Sequence, residues 1–291
     1  MIRVWAPVRR FFLLPVVGLA LLLATLAPHP ADAQGAKRAP ATIAQNLRAI
    51  ALKLYPVDEI IAADRTGDYA LPAGAASASA HWARYLLQAA AATGDRTAHE
   101  LLGMMFESGA GGARDYVAAR QHYRLSSNRV ALWHLGLLVA SGKGGPIDLP
   151  AARADFKCAA DLGLIDAAYE YAHMVELGLG GERNEAEARR IYESTLEYCH
   201  GDIANRLAVM LMRGVGGPAD AVRAAKMHLK AVECHNRFYE DPVVVSEPSL
   251  VDPETVAEIQ KLLKKRGSYR GPITGRVDEP TRAALDRSWG I

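Results

Sequence analysis

Apolar residues recur at helical spacing through the middle of the chain, and the pattern is interrupted four times by one kind of glycine cluster. The clusters are Gly109-Ala110-Gly111-Gly112, Gly142-Lys143-Gly144-Gly145, Gly178-Leu179-Gly180-Gly181 and Gly214-Val215-Gly216-Gly217, with first glycines 33, 36 and 36 residues apart. Six residues before each stands a small residue (Gly103, Gly136, Ala172, Ala208), preceded by Leu102, Leu135, Tyr171 or Leu207. Phe106, Val139, Val175 and Leu211 follow one turn later, so the segment predicts a helix, A, with a buried stripe. Six residues after the first glycine come Asp115, Asp148, Asn184 and Asp220, side chains able to accept from the free N–H groups of a helix start. Glu187 completes a capping-box pattern with Asn184, and Pro150 falls in a first turn, where a missing N–H is harmless. Beyond them Ala119, Ala152, Ala188 and Ala224 lead to Tyr123, Phe156, Tyr192 and, less typically, His228: the small-then-large seam of a second helix, B. Glycine allows positive φ where helix A stops, so the chain reverses and lays B against A.

The flanks differ. Upstream, Trp82 to Ala98 reads as another helix B with a Gly94-Asp95 turn, its own loop degraded to Leu71-Pro72-Ala73-Gly74; residues 42–62 predict one or two further helices, and together these would cap the open end of a stack. Downstream, Pro242, Pro248 and Pro253 punctuate a linker containing Val243-Val244-Val245, read as a short extended segment, and a new helix begins near Asp252.

Half of the residues are hydrophobic and 7% aromatic, which suits Ala-rich helix packing. A formal charge of +2, spread over the chain, offers no clustered basic face and argues against a nucleic-acid partner. At the N-terminus, Arg3, Arg9 and Arg10 precede the apolar run 11–27 and the small residues of Ala31-Asp32-Ala33, the signature of a secretory signal ending before Gln34; the alternative is an uncleaved anchor. No Cys follows the run to accept a lipid. Of the three cysteines, Cys158, Cys199 and Cys234, Cys199-His200 and Cys234-His235 recur one repeat apart. A Cys199–Cys234 disulfide, a Cys/His metal site and simple helix-end residues all remain open, although no compact metal-ligand spacing exists.

The Leu-Gly, Gly-x-Gly-Gly, Asp and Ala-Arg positions, as in Leu135-Gly136, Gly142 to Gly145, Asp148 and Ala152-Arg153, resemble the Sel1-like repeat family, relatives of tetratricopeptide repeats. From Val256 onward, Ile259-Gln260, Leu262-Leu263, Gly267, Tyr269, Gly271-Pro272-Ile273, Gly275 and Thr281-Arg282-Ala283-Ala284-Leu285 resemble the peptidoglycan-binding-like domain of bacterial cell-wall hydrolases. Val277-Asp278 and Ser288-Trp289 depart from that family's pattern. The resemblances imply an all-α chain: a signal peptide (1–33), a linker with degenerate capping helices (34–98), an α-solenoid of four Sel1-like repeats (99–236), a Pro-containing linker (237–251) and a small three-helix peptidoglycan-binding-like module (252–291).

The function so implied is a non-catalytic periplasmic adaptor. Its partners would be an envelope protein or peptide, held in a concave groove, and peptidoglycan, with no nucleic acid and no membrane after signal cleavage. Groove candidates are Met104, Trp133, Tyr169 and His173, the alternative for the aromatics being packing between repeats. Tyr269, Arg270 and Arg282 are the candidate peptidoglycan contacts. Rival readings are a regulator docking on a membrane sensor and an accessory or degenerate cell-wall hydrolase component.

No catalytic residue, metal site or cofactor is expected. His99-Glu100-Leu101-Leu102 begins like a zinc-protease helix, but Gly103 stands where the second His belongs. No Gly-x-Ser-x-Gly elbow occurs, and Gly136 to Lys143 has the wrong spacing for a phosphate loop. His81, His122, His134 and His228 read as polar edges of amphipathic helices.

Overall fold

The computed structural model describes residues 40–55, 78–234 and 242–289. The apolar run 11–27, the small-residue motif at 31–33 and the degraded loop at 71–74 lie outside the described residues. Contacts divide the chain into Met1–Ile43 and Ala44–Ile291, and all the repeats lie in the second unit. Among the described residues there are thirteen α-helices and no strand.

Helix α1 spans Pro40–Leu54 and α2 Ala78–Ala91. The four A helices are α3 (Arg96–Ser108), α5 (Arg129–Ser141), α7 (Ile165–Leu177) and α9 (Gly201–Arg213); the B helices are α4 (Tyr116–Ser126), α6 (Leu149–Asp161), α8 (Glu185–Ser194) and α10 (Ala221–Glu233). The first A helix starts three residues before the expected boundary, because Asp95 caps it by accepting from Ala98 N. Each B helix starts on the anticipated side chain: Asp115, Asp148, Asn184 and Asp220 accept from Ala118, Ala151, Glu187 and Arg223 N at 2.9–3.0 Å. Each such cap contributes about 1 kcal/mol. Each A helix ends on the first glycine of its loop, in the left-handed region, whose N–H returns to a carbonyl of the last turn.

Within a unit, helix B seats its large residue on the small residue of helix A. A Cβ at Gly136 would lie 2.6 Å from the Phe156 ring, and Gly103 stands in the same relation to Tyr123. Between units, the third residue of each loop touches the preceding B helix. At Gly180, with φ +69°, a Cβ would sit 2.5 Å from Leu149 C and 2.8 Å from Pro150 N; Gly111, Gly144 and Gly216 approach Ala80, Tyr116 and Glu185 in the same way. The glycine cluster is therefore both the A-to-B turn and the joint between consecutive units.

An arginine locks each joint. Arg120 Nη2 donates to Leu138 O at 2.7 Å, Arg153 Nη1 to Glu182 O at 3.0 Å, and Arg189 Nη1 to Pro218 O at 3.1 Å. Arg84, from Ala83-Arg84 of α2, reaches Ala113 O at 3.3 Å, so α2 serves as the B helix of a preceding unit. The series stops at Ala225, beyond which the glycine loop does not recur.

The C-terminal module takes the place of a fifth repeat. Ala225, Leu229 and Val232 of α10 share one core with Val244, Val251, Val256, Ile259, Leu263, Tyr269, Ala284 and Leu285. The expected extended linker is corrected here: Val243–Ser246 is a short helix, α11, followed by a 3₁₀ turn at Pro248–Leu250. Val244 is fully buried and Val243 N donates to Asn205 Oδ1 at 3.0 Å, so packing against the last repeat overrides local β preference. Residues 235–241 lie outside the described set.

Two full helices, α12 (Pro253–Lys265) and α13 (Glu279–Trp289), complete the module. Gln260 is fully buried: the two N–H groups of its Nε2 are shared among Thr274 Oγ1, Arg276 O and Thr281 Oγ1, and its Oε1 accepts from Thr274 N and Gly275 N, all at 2.8–3.0 Å. One side chain thus fixes the connecting loop. The module caps the open end of the stack rather than trailing from it.

Candidate protein-binding face

The A helices share one face on which side chains are only half-buried. It carries Val130, Trp133 and Leu137 on α5, Asp166, Tyr169, Glu170 and His173 on α7, and Asp202, Arg206 and Val209 on α9. Trp133 packs on the core through part of its ring, and its Nε1–H is buried without a hydrogen-bond partner. Tyr169 stacks between His173 and His200, with ring centroids 6.0 and 5.8 Å away. Met104 differs: it is 5% exposed and belongs to the core, so it is withdrawn as a groove residue. The helix turns Met104 inward, where it joins the buried core of the N-terminal repeats.

Polar rungs tie successive A helices together behind this face. In the first, Tyr123 Oη donates to Glu107 Oε2 at 2.6 Å and His134 Nδ1 lies 3.3 Å from the same oxygen, with the Tyr123 and His134 rings stacked. In the third, Arg206 donates twice to the Glu176 carboxylate, at 2.8 Å each. Glu107 and Glu176 each sit two residues before a loop, and His134 and Arg206 eight residues before the next. Because Arg206 occupies Glu176, the hydroxyl of Tyr192, the counterpart of Tyr123, is buried without a partner. Burial, reinforced by Glu176, holds that hydroxyl far above the usual tyrosine range. The middle register carries Ala140 opposite Glu170. Burial, then the carboxyls of Asp166 and Asp202, push Glu170 up to about 7, with His200 acting in the opposite sense.

The histidines expected at helix edges divide. His134 and His228 are buried, 3% and 0% exposed, His134 in the first rung and His228 at the large position of its helix-B seam, rather than on the surface. Both ring nitrogens of His228 lack a partner, and burial lowers its pKa to about 4 despite Asp252. His99 and His122 face each other, Nδ1 to Nδ1 at 2.9 Å, and burial holds His122 near 4. No group of three or more metal-ligating side chains gathers among the described residues.

At the C-terminal module, Tyr269 is 1% exposed and donates to Pro272 O at 2.6 Å, which removes it from the ligand contacts. The missing Cβ of Gly271 leaves room for the ring to fold inward. Arg270 and Arg282 are exposed. Cys199 and Cys234 form a disulfide, Cα atoms 5.1 Å apart, which joins the loop before α9 to the end of α10. That pairing excludes these two cysteines as metal ligands; Cys158 is free and exposed.

Residues 97–130, 129–164, 165–195 and 204–236 match the Sel1 repeat family. Among solved structures, a Sel1 repeat protein from Oxalobacter formigenes is 19% identical with a TM-score of 0.56, over 94% of this chain and 98% of that one. A protective antigen present in uropathogenic Escherichia coli strains, displaying an SLR fold, is 18% identical with a TM-score of 0.56 over 85% of this chain and 53% of its own. The chain thus spans about half the length of the E. coli antigen. These likenesses are of fold. No curated protein matches the sequence.

Proposed function

From a chain that carries four Sel1 repeats, we propose a non-catalytic adaptor of the bacterial periplasm. It holds an envelope protein or peptide on its A-helix face and associates with peptidoglycan through its C-terminal module. One observation carries the reading: half-buried aromatic and aliphatic side chains, Trp133, Leu137 and Tyr169, line up on a face backed by rigid rungs. Amphipathic rings on a fixed scaffold bind protein surfaces at low entropic cost. The periplasmic location is supported by the signal-like N-terminus and by the Cys199–Cys234 disulfide, a bond suited to an oxidising compartment.

Peptidoglycan association is supported by the sequence resemblance and by two exposed cations, Arg270 and Arg282, that suit stem-peptide carboxylates. Truncation is a poor test, because it would strip the apolar cover from Ala225, Leu229 and Val232. Sedimentation with purified sacculi should instead compare the mature chain with Arg270→Glu/Arg282→Glu: the double variant is expected to stay in the supernatant, and equal sedimentation would remove the anchoring role. For the adaptor role, Trp133→Ala should weaken capture of a partner while helicity is retained. A melted protein would make Trp133 core.

A further inference from the structure

A cavity of about 260 Å³ opens where the linker meets the C-terminal module. Pro248, Ser249 and Val251 form one wall, Gly275, Arg276 and Val277 of the connecting loop form the other, and Val256 of α12 completes the lining. Val251 and Val256 are 6% and 1% exposed and belong, with Val277, to the core shared with α10, so the inner lining is apolar. Arg276 and Ser249 are exposed. Among the described residues, neither the Arg276 guanidinium nor the Ser249 hydroxyl makes a hydrogen bond or ion pair. The carboxylates that adjoin the lining in sequence are both engaged as helix caps: Asp252 accepts from Thr255 N and Oγ1, and Asp278 from Thr281 N and Oγ1.

Both walls are fixed before anything binds, which lowers the entropic cost of holding a ligand. Arg276 O accepts from the buried Gln260 at 2.8 Å, and Gly275, at φ +66°, comes so close to α12 that a Cβ would lie 2.8 Å from Pro253 O. On the opposite side Val251 N donates to Pro248 O at 3.3 Å and Asp252 N to Met212 Sδ at 3.4 Å, which ties that wall to the last repeat. The pocket therefore depends on the linker's packing against the module.

Size and charge narrow the ligand. Pockets for drug-sized molecules begin at roughly 300 Å³, so this one takes a small group rather than a disaccharide. One unpaired guanidinium matches one carboxylate, which it can hold through two N–H groups, and the valines match a methyl-sized side chain beside it. A free peptide C-terminus of small apolar residues has that composition, and the stem peptides of peptidoglycan end in D-alanine. We propose that this pocket receives the D-alanine-terminated end of a peptidoglycan stem peptide, with Arg276 on the terminal carboxylate and Val251, Val256 and Val277 against the methyl groups. This rests on the peptidoglycan reading and adds the part of the polymer that is recognised; Arg270 and Arg282 are not among the lining residues.

Diacetyl-L-lysyl-D-alanyl-D-alanine and its C-terminal amide serve as probes, titrated into the full mature chain and followed by the NMR signals of the valine methyls. The acid should shift Val251, Val256 and Val277, and amidation should weaken binding at least about tenfold. Arg276→Gln, at an exposed position and with its helicity checked by circular dichroism, should lose the preference for the acid; Arg276→Lys should keep part of it. Equal binding of acid and amide by the native chain would overturn the carboxylate pocket, and so would shifts confined to residues outside the lining. Tighter binding of the all-L peptide would put a protein tail in place of the stem peptide and overturn the assignment. Sedimentation with sacculi separates the two readings. A chain that pellets but binds no peptide loses the pocket and keeps the anchoring role, whereas a chain that neither pellets nor binds peptide loses both.

Discussion

Replacing Gly180 by Ala should destabilise the stack far more than replacing Gly94, although both glycines have positive φ. Gly94 stands at φ +87° with nothing within 4 Å of an added Cβ, so Ala there costs only the left-handed conformation, about 1 kcal/mol. Gly180 stands at φ +69° against Leu149 C and Pro150 N, backbone atoms that cannot rotate away. To the same conformational cost its substitution adds a forced separation of two repeats, about 1–3 kcal/mol by analogy with overpacked cores. A total of about 2–4 kcal/mol is a large part of the 5–15 kcal/mol typical of a folded domain. Urea titration followed by circular dichroism, with the disulfide intact, reads the difference. The Gly180 variant should also broaden or split the transition, because a weakened joint uncouples neighbouring units. Equal midpoints for the two variants would refute the claim that the loop is jammed against the preceding helix.

Thiol titration of the unreduced native chain should find one reactive cysteine, Cys158, and three after reduction. Reduction removes a cross-link between residues 35 apart, worth at most about 4 kcal/mol in the chain-entropy view, and should lower the melting temperature of the last repeat and its cap together. Stability should also fall with acid in a defined window. The folded state holds His228 near 4 while the unfolded chain has the ordinary value near 6.5, so the unfolded state binds the extra proton between those limits. The loss begins as pH drops below about 6.5 and is complete below about 4, amounting to roughly 3 kcal/mol. His228→Gln should flatten that part of the profile; an unchanged slope would place the titration elsewhere, His122 being the next candidate.

The helices, their caps and the reversals were legible because each is a local matter of a few residues: Asp148 caps its own helix, and Gly178 ends its own. The joints were not. Gly180 reads as a turn residue in sequence, and only the stack shows that its missing Cβ admits Leu149 from the unit before. Ala-Arg recurs visibly, yet the carbonyl that Arg120 reaches belongs to the next repeat. The rungs were likewise hidden, since Glu107 and His134 lie a repeat apart and look like surface residues of separate helices. A register count of charged residues against the loops would have found them. Tyr269 misled because a tyrosine among glycines resembles an exposed turn, whereas Gly271 is what lets the ring fold inward. The short helix at Val243 depends on Asn205 and the core around Val244, neither of which is local.

Photo-cross-linking in cells distinguishes the faces of the stack directly. A photoreactive residue would be placed, one at a time, at Leu137, His173 and Val209 on the A helices and at the exposed Val117 and Val222 on the B helices. An adaptor that binds through its A helices should give one discrete protein adduct from the A-helix positions and none from the B-helix positions. Adducts confined to the B helices would contradict that role, as would an A-helix face that captures nothing.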